Sequence, residues 1–571
     1  MNYKEEYQRW LDMADEETVA ELKAINDEKE IEERFYMPLE FGTAGLRGVI
    51  GAGPNRMNSY VVGQATQGLA NQLIKSGDGG ELSTVIAYDS RIKSDEFAKT
   101  AATVLAANGI KVYLFDELKP VPELSFAVGY LKTSAGIVIT ASHNPAKYNG
   151  YKVYGADGAQ LNPELADIVL EEIGKTDIFT GVKKCDFDTA VKEGKIILIG
   201  EEVEEAYLDC VQAQSINPQL IKEKGSSLKF VYTPFHGSGN KPVRKIMKRM
   251  GFDNVVVVKE QEQPDGNFPT VASPNPENKE GFELAIGYAK ECGADLIVGT
   301  DPDADRVGII VRDKSGEYQA FTGNQVGALL TEYILSSLKE NNKLPKDGYV
   351  VKTIVTTNLT EAICREYGVE MKEVLTGFKF IGEKIKESEE TGTGTYIFGF
   401  EESYGYLKGT YARDKDAVVA TMLIAEMTLY YRERGSSLAE QMEAIYKKYG
   451  YYKEYVESIV MEGMDGLAKI SGIMESLRNN TPKSVAGKKV LAVRDYKAST
   501  RRETDGGRTE KILLPTSNVI YLELEDGNNF VVRPSGTEPK IKLYCMLRGD
   551  SREEAENLAE LIKEDIQRII K

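Results

Sequence analysis

Three times along this chain a short apolar run stops abruptly in a polar loop, and this repetition constrains the fold more than any other feature. The first run, GIVIT, passes into Ala141-Ser142-His143-Asn144-Pro145. The second, LIVGT, passes into Asp301-Pro302-Asp303-Ala304-Asp305-Arg306. The third, TYIFGF, passes into Glu401-Glu402-Ser403-Tyr404-Gly405. Short apolar runs without polar alternation read as strands buried on both faces, which is how strands of a parallel sheet read. Helix-and-strand alternation precedes each run. VIAY, a helix near 95–108 and KVYLF precede the first; KFVYT, a helix near 241–250 and VVVV the second; YVVKTIV and a helix near 360–367 the third. The pattern predicts three α/β units with mainly parallel, mixed sheets. Ligands of such sheets sit beyond the carboxyl ends of the strands, where all three polar loops would lie.

The last stretch differs. NVIYLELEDGNNFVVR and KIKLYCML read as paired strands and 552–570 as an amphipathic closing helix, so the C-terminal part is expected to be α+β. With 571 residues the chain exceeds what one core can serve. Four domains are expected: 1–213 with the first loop, 214–323 with the second, 324–455 with the third, and 456–571.

A formal charge of −18 disfavours nucleic acid or an anionic membrane as partner, since both reward a basic face. It also means that any phosphate ligand needs basic residues concentrated at its site. Cys185, Cys210, Cys292, Cys364 and Cys545 are scattered, odd in number and never spaced as CxxC, which suits a reducing compartment. The polar start MNYKEEYQRW has no apolar signal-peptide core, and the most apolar helix candidate, 417–427, is interrupted by Thr421 and Glu426 and too short to span a bilayer. These features together predict a cytoplasmic protein.

Asp301, Asp303 and Asp305 alternate, so in an extended or gently turning segment their carboxylates converge on one cation. A solvated acidic turn is the plainer alternative. A calcium EF-hand fails, because Arg306 stands where the loop needs glycine and Arg312 where it needs glutamate. A hard cation that shares its shell with phosphate oxygens fits better. Arg533-Pro534-Ser535-Gly536-Thr537 is either a plain proline- and glycine-bearing turn or a phosphate cradle, with a guanidinium, two hydroxyls and exposed amides. Gly42-Thr43-Ala44-Gly45-Leu46-Arg47-Gly48 has neither dinucleotide nor Walker spacing. The only histidines, His143 and His236, both follow strands, and their structural and functional readings are evenly balanced. Ser142 and His143 are sequence neighbours without a GxSxG elbow, which argues against a hydrolase triad.

Taken together, the motifs resemble those of the α-D-phosphohexomutase superfamily, over about 41–547 and in the family's order, one per domain. TASHNP looks like its phosphoserine loop, DPDADR its metal loop, FEES its sugar loop and RPSGT its phosphate loop. The resemblance implies four domains around a central cleft. It makes Ser142 the phosphoryl carrier, with His143, Arg306 and Lys152 completing the catalytic group and Lys152 the general base. Asp301, Asp303 and Asp305, with an oxygen of phosphorylated Ser142, would hold Mg²⁺. Glu401 and Ser403, with Gly377 and Lys379 of TGFKFIGEK, would read the sugar. Arg533, Ser535, Gly536 and Thr537 would hold the phosphate that is not reacting, and Thr43 and Arg47 complete the substrate site.

Tyr404-Gly405-Tyr406 follows the sugar-loop serine where other branches carry a histidine, so FEESYG looks more like the phosphoglucomutase–phosphopentomutase branch. The implied reaction interconverts α-D-glucose 1-phosphate and glucose 6-phosphate through the phosphoserine, with glucose 1,6-bisphosphate as intermediate and activator. Phosphopentomutase and phosphomannomutase chemistry are the neighbouring alternatives. A metal-dependent sugar-phosphate phosphohydrolase is the competing class, and a non-catalytic sugar-phosphate binder would have no use for Ser142 or the aspartates. Sugar phosphates are the expected partners; oligomeric state is not readable.

Overall fold

A computed structural model describes residues 2–42, 45–77, 79–461, 463–535 and 540–569. By internal packing the chain divides into two units. The first comprises Met1–Phe321, Ile381–Tyr396 and Tyr404–Arg434; the second comprises Thr322–Phe380, Ile397–Ser403 and Gly435–Lys571.

Two mixed sheets organise the first unit. One has the strand order Leu46–Val49, Tyr148–Gly155, Ala135–Ile139, Ser83–Tyr88, Lys111–Phe115, Ile196–Ile199. Its last four strands run parallel, and its first two are added antiparallel. The GIVIT segment forms its centre and is buried throughout, as an apolar run without alternation requires. Helices Ser59–Ser76 and Ser94–Ala107 pack Leu69, Phe97 and Leu105 into one core with Ile86 and Ile137 of the sheet. The N-terminal helices Tyr3–Met13, Glu16–Ala24 and Glu28–Phe35 join this core through the fully buried Trp10. Its ring meets Phe35, Tyr60 and Phe179 edge-on at 5.3–6.0 Å, a geometry that favours aromatic pairs beyond their buried area.

The second sheet has the order Tyr318–Phe321, Val307–Arg312, Leu296–Thr300, Lys229–Thr233, Asn254–Val257, again parallel in its last three strands and antiparallel at the other edge. The apolar candidate at 417–427 becomes helix Ala417–Arg432, buried from Ala417 through Tyr431. It is a core helix, and no helix among the described residues is long and apolar enough to cross a membrane.

In the second unit, strands Gly348–Thr353 and Glu370–Val374 pair in parallel. The C-terminal sheet is antiparallel and carries helix Arg552–Ile569, which buries Leu558, Ile562 and Ile566 at four-residue spacing. Strand Tyr451–Val460 pairs along its whole length with Lys540–Gly549, so this sheet begins at Tyr451. The helices expected near 95–108, 241–250 and 360–367 occupy Ser94–Ala107, Asn240–Met250 and Leu359–Tyr367.

Candidate active site

Ser142 lies just past strand Ala135–Ile139 with φ at +52°, a left-handed conformation that costs an L-residue about 1–2 kcal/mol. Its backbone N–H donates to Thr140 Oγ1 at 2.8 Å, and its carbonyl accepts from Arg91 Nη2 at 2.5 Å. So held, the buried Ser142 hydroxyl donates to Asp301 Oδ2 at 2.8 Å and lies 3.2 Å from His143 Nδ1.

Asp301 begins the loop after strand Leu296–Thr300. Its Oδ1 accepts from the backbone N–H of Asp305 and Arg306, at 3.1 and 3.0 Å, folding the segment into a turn and leaving Oδ2 for Ser142. The three aspartates are buried, and one carboxylate oxygen of each lies within 4.8 Å of the others. Asp303 Oδ1 and Asp305 Oδ1 are buried with no hydrogen-bond partner among the described residues. Leaving such oxygens unmatched is costly, which suits a cation-binding site. An all-oxygen donor set of carboxylates is the kind that Mg²⁺ takes. Burial, then Asp303 and Asp305, drive the Asp301 carboxyl well above the usual range. Burial opposes ionisation of Asp303 too, but the Lys152 ammonium, a hydrogen bond with Asp301 and the Lys415 charge together outweigh it and hold that carboxyl below the usual range.

Lys152 sits on strand Tyr148–Gly155, whose alternation sends Tyr151 and Val153 into the core and Lys152 and Tyr154 to the other face. Lys152 Nζ is 3.0 Å from Asp303 Oδ2 and 3.7 Å from Asp305 Oδ2. Gly45 (φ +89°) packs against this strand, and a Cβ there would stand 2.0 Å from Tyr151 O and 3.0 Å from Lys152 Cα. Arg306 pairs with Glu277 at 3.0 Å, and the exposed Arg47 reaches Asn144 Oδ1 at 3.4 Å. Burial, with Arg306 and Arg47 nearby, keeps His143 well below its ordinary pKa, so its ring is neutral near pH 7. Basic groups are thus concentrated here, although the chain is acidic overall.

Sequence reasoning missed three members of this cluster. Lys415 Nζ lies 3.2 Å from Asp305 Oδ2 and 2.8 Å from Asp414 Oδ1. Asp414 in turn accepts from the Tyr154 hydroxyl at 2.7 Å and from Gln160 at 3.1 Å. Arg91, after the strand ending at Tyr88, is the third. The signal in the sequence is a charged cluster, YARDKD or AYDSR, beside an apolar run. His236 stays outside the cluster: its nitrogens meet Gln263 O and Thr270 Oγ1 at 3.1 and 2.9 Å, fastening its own loop.

The remaining expected residues lie in the second unit. Glu401, at the end of strand Thr395–Glu401, accepts from the backbone N–H of Gly377 at 2.9 Å, joining FEES to TGFKF. Lys379 Nζ stands 5.4 Å from the Phe380 ring centroid, and Ser403 is half-buried. Arg533, on strand Asn529–Pro534, lies beside Tyr544, and Glu402 and Glu401 stand near the same tyrosine. Ser535 N donates to Lys540 O at 2.7 Å. Thr43, Gly536 and Thr537 lie outside the described residues.

The two sheets of the first unit each present a strand-end loop to a buried serine–carboxylate–ammonium cluster, which is the equipment of phosphoryl transfer. Comparison with known families agrees. Models described as phosphoglucomutase/phosphomannomutase alpha/beta/alpha domains I, II and III match residues 38–178, 205–316 and 322–449, and the C-terminal domain of the same family matches 481–564. The chain belongs to the phosphoglucomutase/phosphomannomutase family and is an enzyme, a phosphotransferase of the mutase kind. It is 39% identical to a phosphoglucomutase of Staphylococcus haemolyticus over 95% of this chain and 97% of that one. With a phosphoglucomutase of Staphylococcus saprophyticus it shares 38% identity over 97% and 98% of the two chains. Among solved structures it resembles parafusin of Paramecium in its open form, with a TM-score of 0.68 at 15% identity over 94% and 95% of the two chains, a likeness of fold.

Proposed function

We propose that the chain is a phosphoglucomutase, interconverting α-D-glucose 1-phosphate and glucose 6-phosphate with Ser142 as phosphoryl carrier. The observation that carries this reading is the buried Ser142 hydroxyl, 2.8 Å from Asp301 Oδ2 at the edge of the aspartate cluster. Asp301, Asp303 and Asp305, with an oxygen of the phosphorylated serine, would hold Mg²⁺, which would supply neutralisation of charge on the transferring group. Phosphoryl transfer needs little covalent help but close positioning and charge neutralisation. Arg306, the last residue of the metal loop, offsets charge on the transferring group. Lys152 is the general base towards the attacking sugar hydroxyl, a role it fills as the neutral amine after its ammonium proton has passed to solvent, and Lys415 shares the aspartate charge beside it. The neutral His143 ring lies beside the Ser142 oxygen, whose own proton goes to Asp301 when the serine is unphosphorylated.

In the second unit, Glu401 and Ser403, with Gly377 and Lys379, read the sugar. Arg533, Ser535, Gly536 and Thr537 anchor the phosphate that is not reacting, and Thr43 and Arg47 complete the substrate site. Phosphoserine phosphorylates glucose 1-phosphate at O6; the resulting glucose 1,6-bisphosphate turns over and returns its 1-phosphate to Ser142. One phosphate anchor serves both orientations. A cytoplasmic setting is part of the same reading, supported by the scattered cysteines. Assay on the 1-phosphates of glucose, mannose and ribose, with inorganic phosphate measured alongside, tests the proposal. Fastest isomerisation of glucose 1-phosphate supports it. Phosphate release without isomer would mean a phosphohydrolase, and a preference for ribose or mannose would move the chain to another branch.

A further inference from the structure

One buried side chain behind the serine loop is used by no step above. Arg91, with no solvent-exposed side-chain area, directs its guanidinium at four backbone carbonyls, three in that loop and one at the start of the strand that follows it. Nη2 donates to the carbonyls of Ser142 (2.5 Å) and Asn144, and Nη1 to those of Pro145 and Tyr148, each at 3.0 Å. Its Nε lies 3.3 Å from Asp89 Oδ2, and its plane lies over the Phe268 ring at 5.0 Å. Asp89 holds the other side of the same loop. Its Oδ2 is 2.6 Å from Thr140 Oγ1, the atom that accepts the Ser142 N–H, and its Oδ1 accepts from Ser94 Oγ and from the Arg91 N–H. Thr140 Oγ1 is also 3.1 Å from Asp303 Oδ2, so the aspartate loop shares the junction.

Both peptide groups of Ser142 are therefore fixed by one ion pair: the N–H through Thr140 to Asp89, the carbonyl by Arg91. A serine at φ +52° keeps that conformation only where its surroundings over-determine it. Five hydrogen-bond donors in a rigid planar fork suit this task, which a lysine ammonium cannot reproduce.

We propose that Arg91, paired with Asp89, is the positioning residue that holds Ser142 in its strained conformation and aims its oxygen at the aspartate cluster. The proposal rests on the reading of Ser142 as phosphoryl carrier. Arg91 touches neither sugar nor transferring phosphate, so its loss lowers the rate of transfer and leaves substrate binding nearly unchanged.

The full-length Arg91→Ala, Arg91→Lys and Asp89→Asn variants are compared with the wild type, each first treated with glucose 1,6-bisphosphate and weighed intact. Misplacing a reacting group by about 1 Å costs roughly 100-fold, so kcat of Arg91→Ala is expected to fall by about that factor. KM for glucose 1-phosphate should stay within about threefold, the pattern of an interaction that matters for transfer rather than binding. Arg91→Lys should recover only part of kcat, and added guanidinium ion should raise that of Arg91→Ala. Amide hydrogen exchange should accelerate in peptides covering 140–150 and stay unchanged over 318–335. A kcat near wild type in Arg91→Ala overturns the proposal. So does exchange that accelerates uniformly with kcat and KM changing together, since that marks general destabilisation. Should Arg91→Ala not fold, the isosteric Asp89→Asn and Arg91→Lys decide by the same split. A wild-type chain that never carries phosphate on Ser142 overturns the carrier reading itself, and the exchange measurement, which needs no chemistry, distinguishes that failure from the failure of Arg91 to hold the loop.

Discussion

Replacing Lys415 by Met removes an ammonium bonded to Asp414 and shared with Asp305, and the consequence can be worked from the geometry. Asp414 and Asp305 are essentially inaccessible to water, and Lys415 lies 2.8 and 3.2 Å from them. Burial opposes ionisation of Asp414, but Lys415 and then Lys152 outweigh it, so its carboxyl lies below the usual range. Removing one partner of a buried pair costs about 3–5 kcal/mol. Asp414 keeps its bonds from Tyr154 and Gln160, so the lower end, about 3 kcal/mol, is expected. At about 2–4 °C per kcal/mol, the first thermal transition of Lys415→Met should drop by roughly 6–12 °C. The sign with pH follows from linkage. In the wild type, a depressed carboxyl contributes stability above the ordinary value near 3.9, lost as pH falls through its folded value. In the variant, burial is no longer opposed by Lys415, the folded value rises, and stability is lost as pH rises through it. The gap between the two proteins should therefore be widest at and above neutrality and narrow as pH falls towards about 4. Thermal scans in EDTA between these limits, with the Lys415→Met/Asp414→Asn double variant as control, read it directly. The double variant should recover most of the loss. A shift below about 2 °C that does not vary with pH would refute the reasoning.

Other expectations follow from the same geometry. Asp303→Asn removes one of the carboxylates meant for the cation, so Mg²⁺ titration of activity should need a higher concentration, and excess EDTA should stop the wild type; full activity in EDTA would contradict the metal assignment. Arg533→Ala removes a charge-assisted contact worth about 1.5–3 kcal/mol, so kcat/KM should fall roughly 10- to 150-fold in both reaction directions. Unchanged kinetics in either direction would remove Arg533 from the phosphate site. Gly45→Ala places a Cβ 2.0 Å from Tyr151 O at a positive φ, and it should lower kcat by displacing the strand that carries Lys152; a wild-type rate would show that the loop yields without moving Lys152.

The strands that end in the site were legible because apolar runs without alternation leave few options, and the expected helices at 95–108, 241–250 and 360–367 appear within a residue of their places. The aspartates were legible because their spacing states their chemistry. The N-terminal helices and the strand Tyr451–Val460 were not, since the former read only as polar sequence and the latter carries its polar residues in pairs, Lys453-Glu454 and Glu457-Ser458, which hides a strand's alternation. Lys415 and Arg91 were missed for another reason. Their roles depend on partners far away in sequence: Lys415 on Asp305, Arg91 on carbonyls of residues 142–148. Nor does sequence reveal that Ser142, His236, Ala304 and Tyr404, all non-glycine residues just past strands, adopt positive φ. That conformation is imposed by the surrounding contacts and not by the residues' own preference.

The most direct test of the central claim is transfer of labelled phosphate from glucose 1,6-bisphosphate to the protein, with the labelled peptide identified. The account predicts one phosphoryl group per chain, on the peptide containing Ser142, absent in a folded Ser142→Ala variant, and passed on to glucose 1-phosphate when that sugar is added. Label on another residue, no label, or label that leaves only as inorganic phosphate would contradict it.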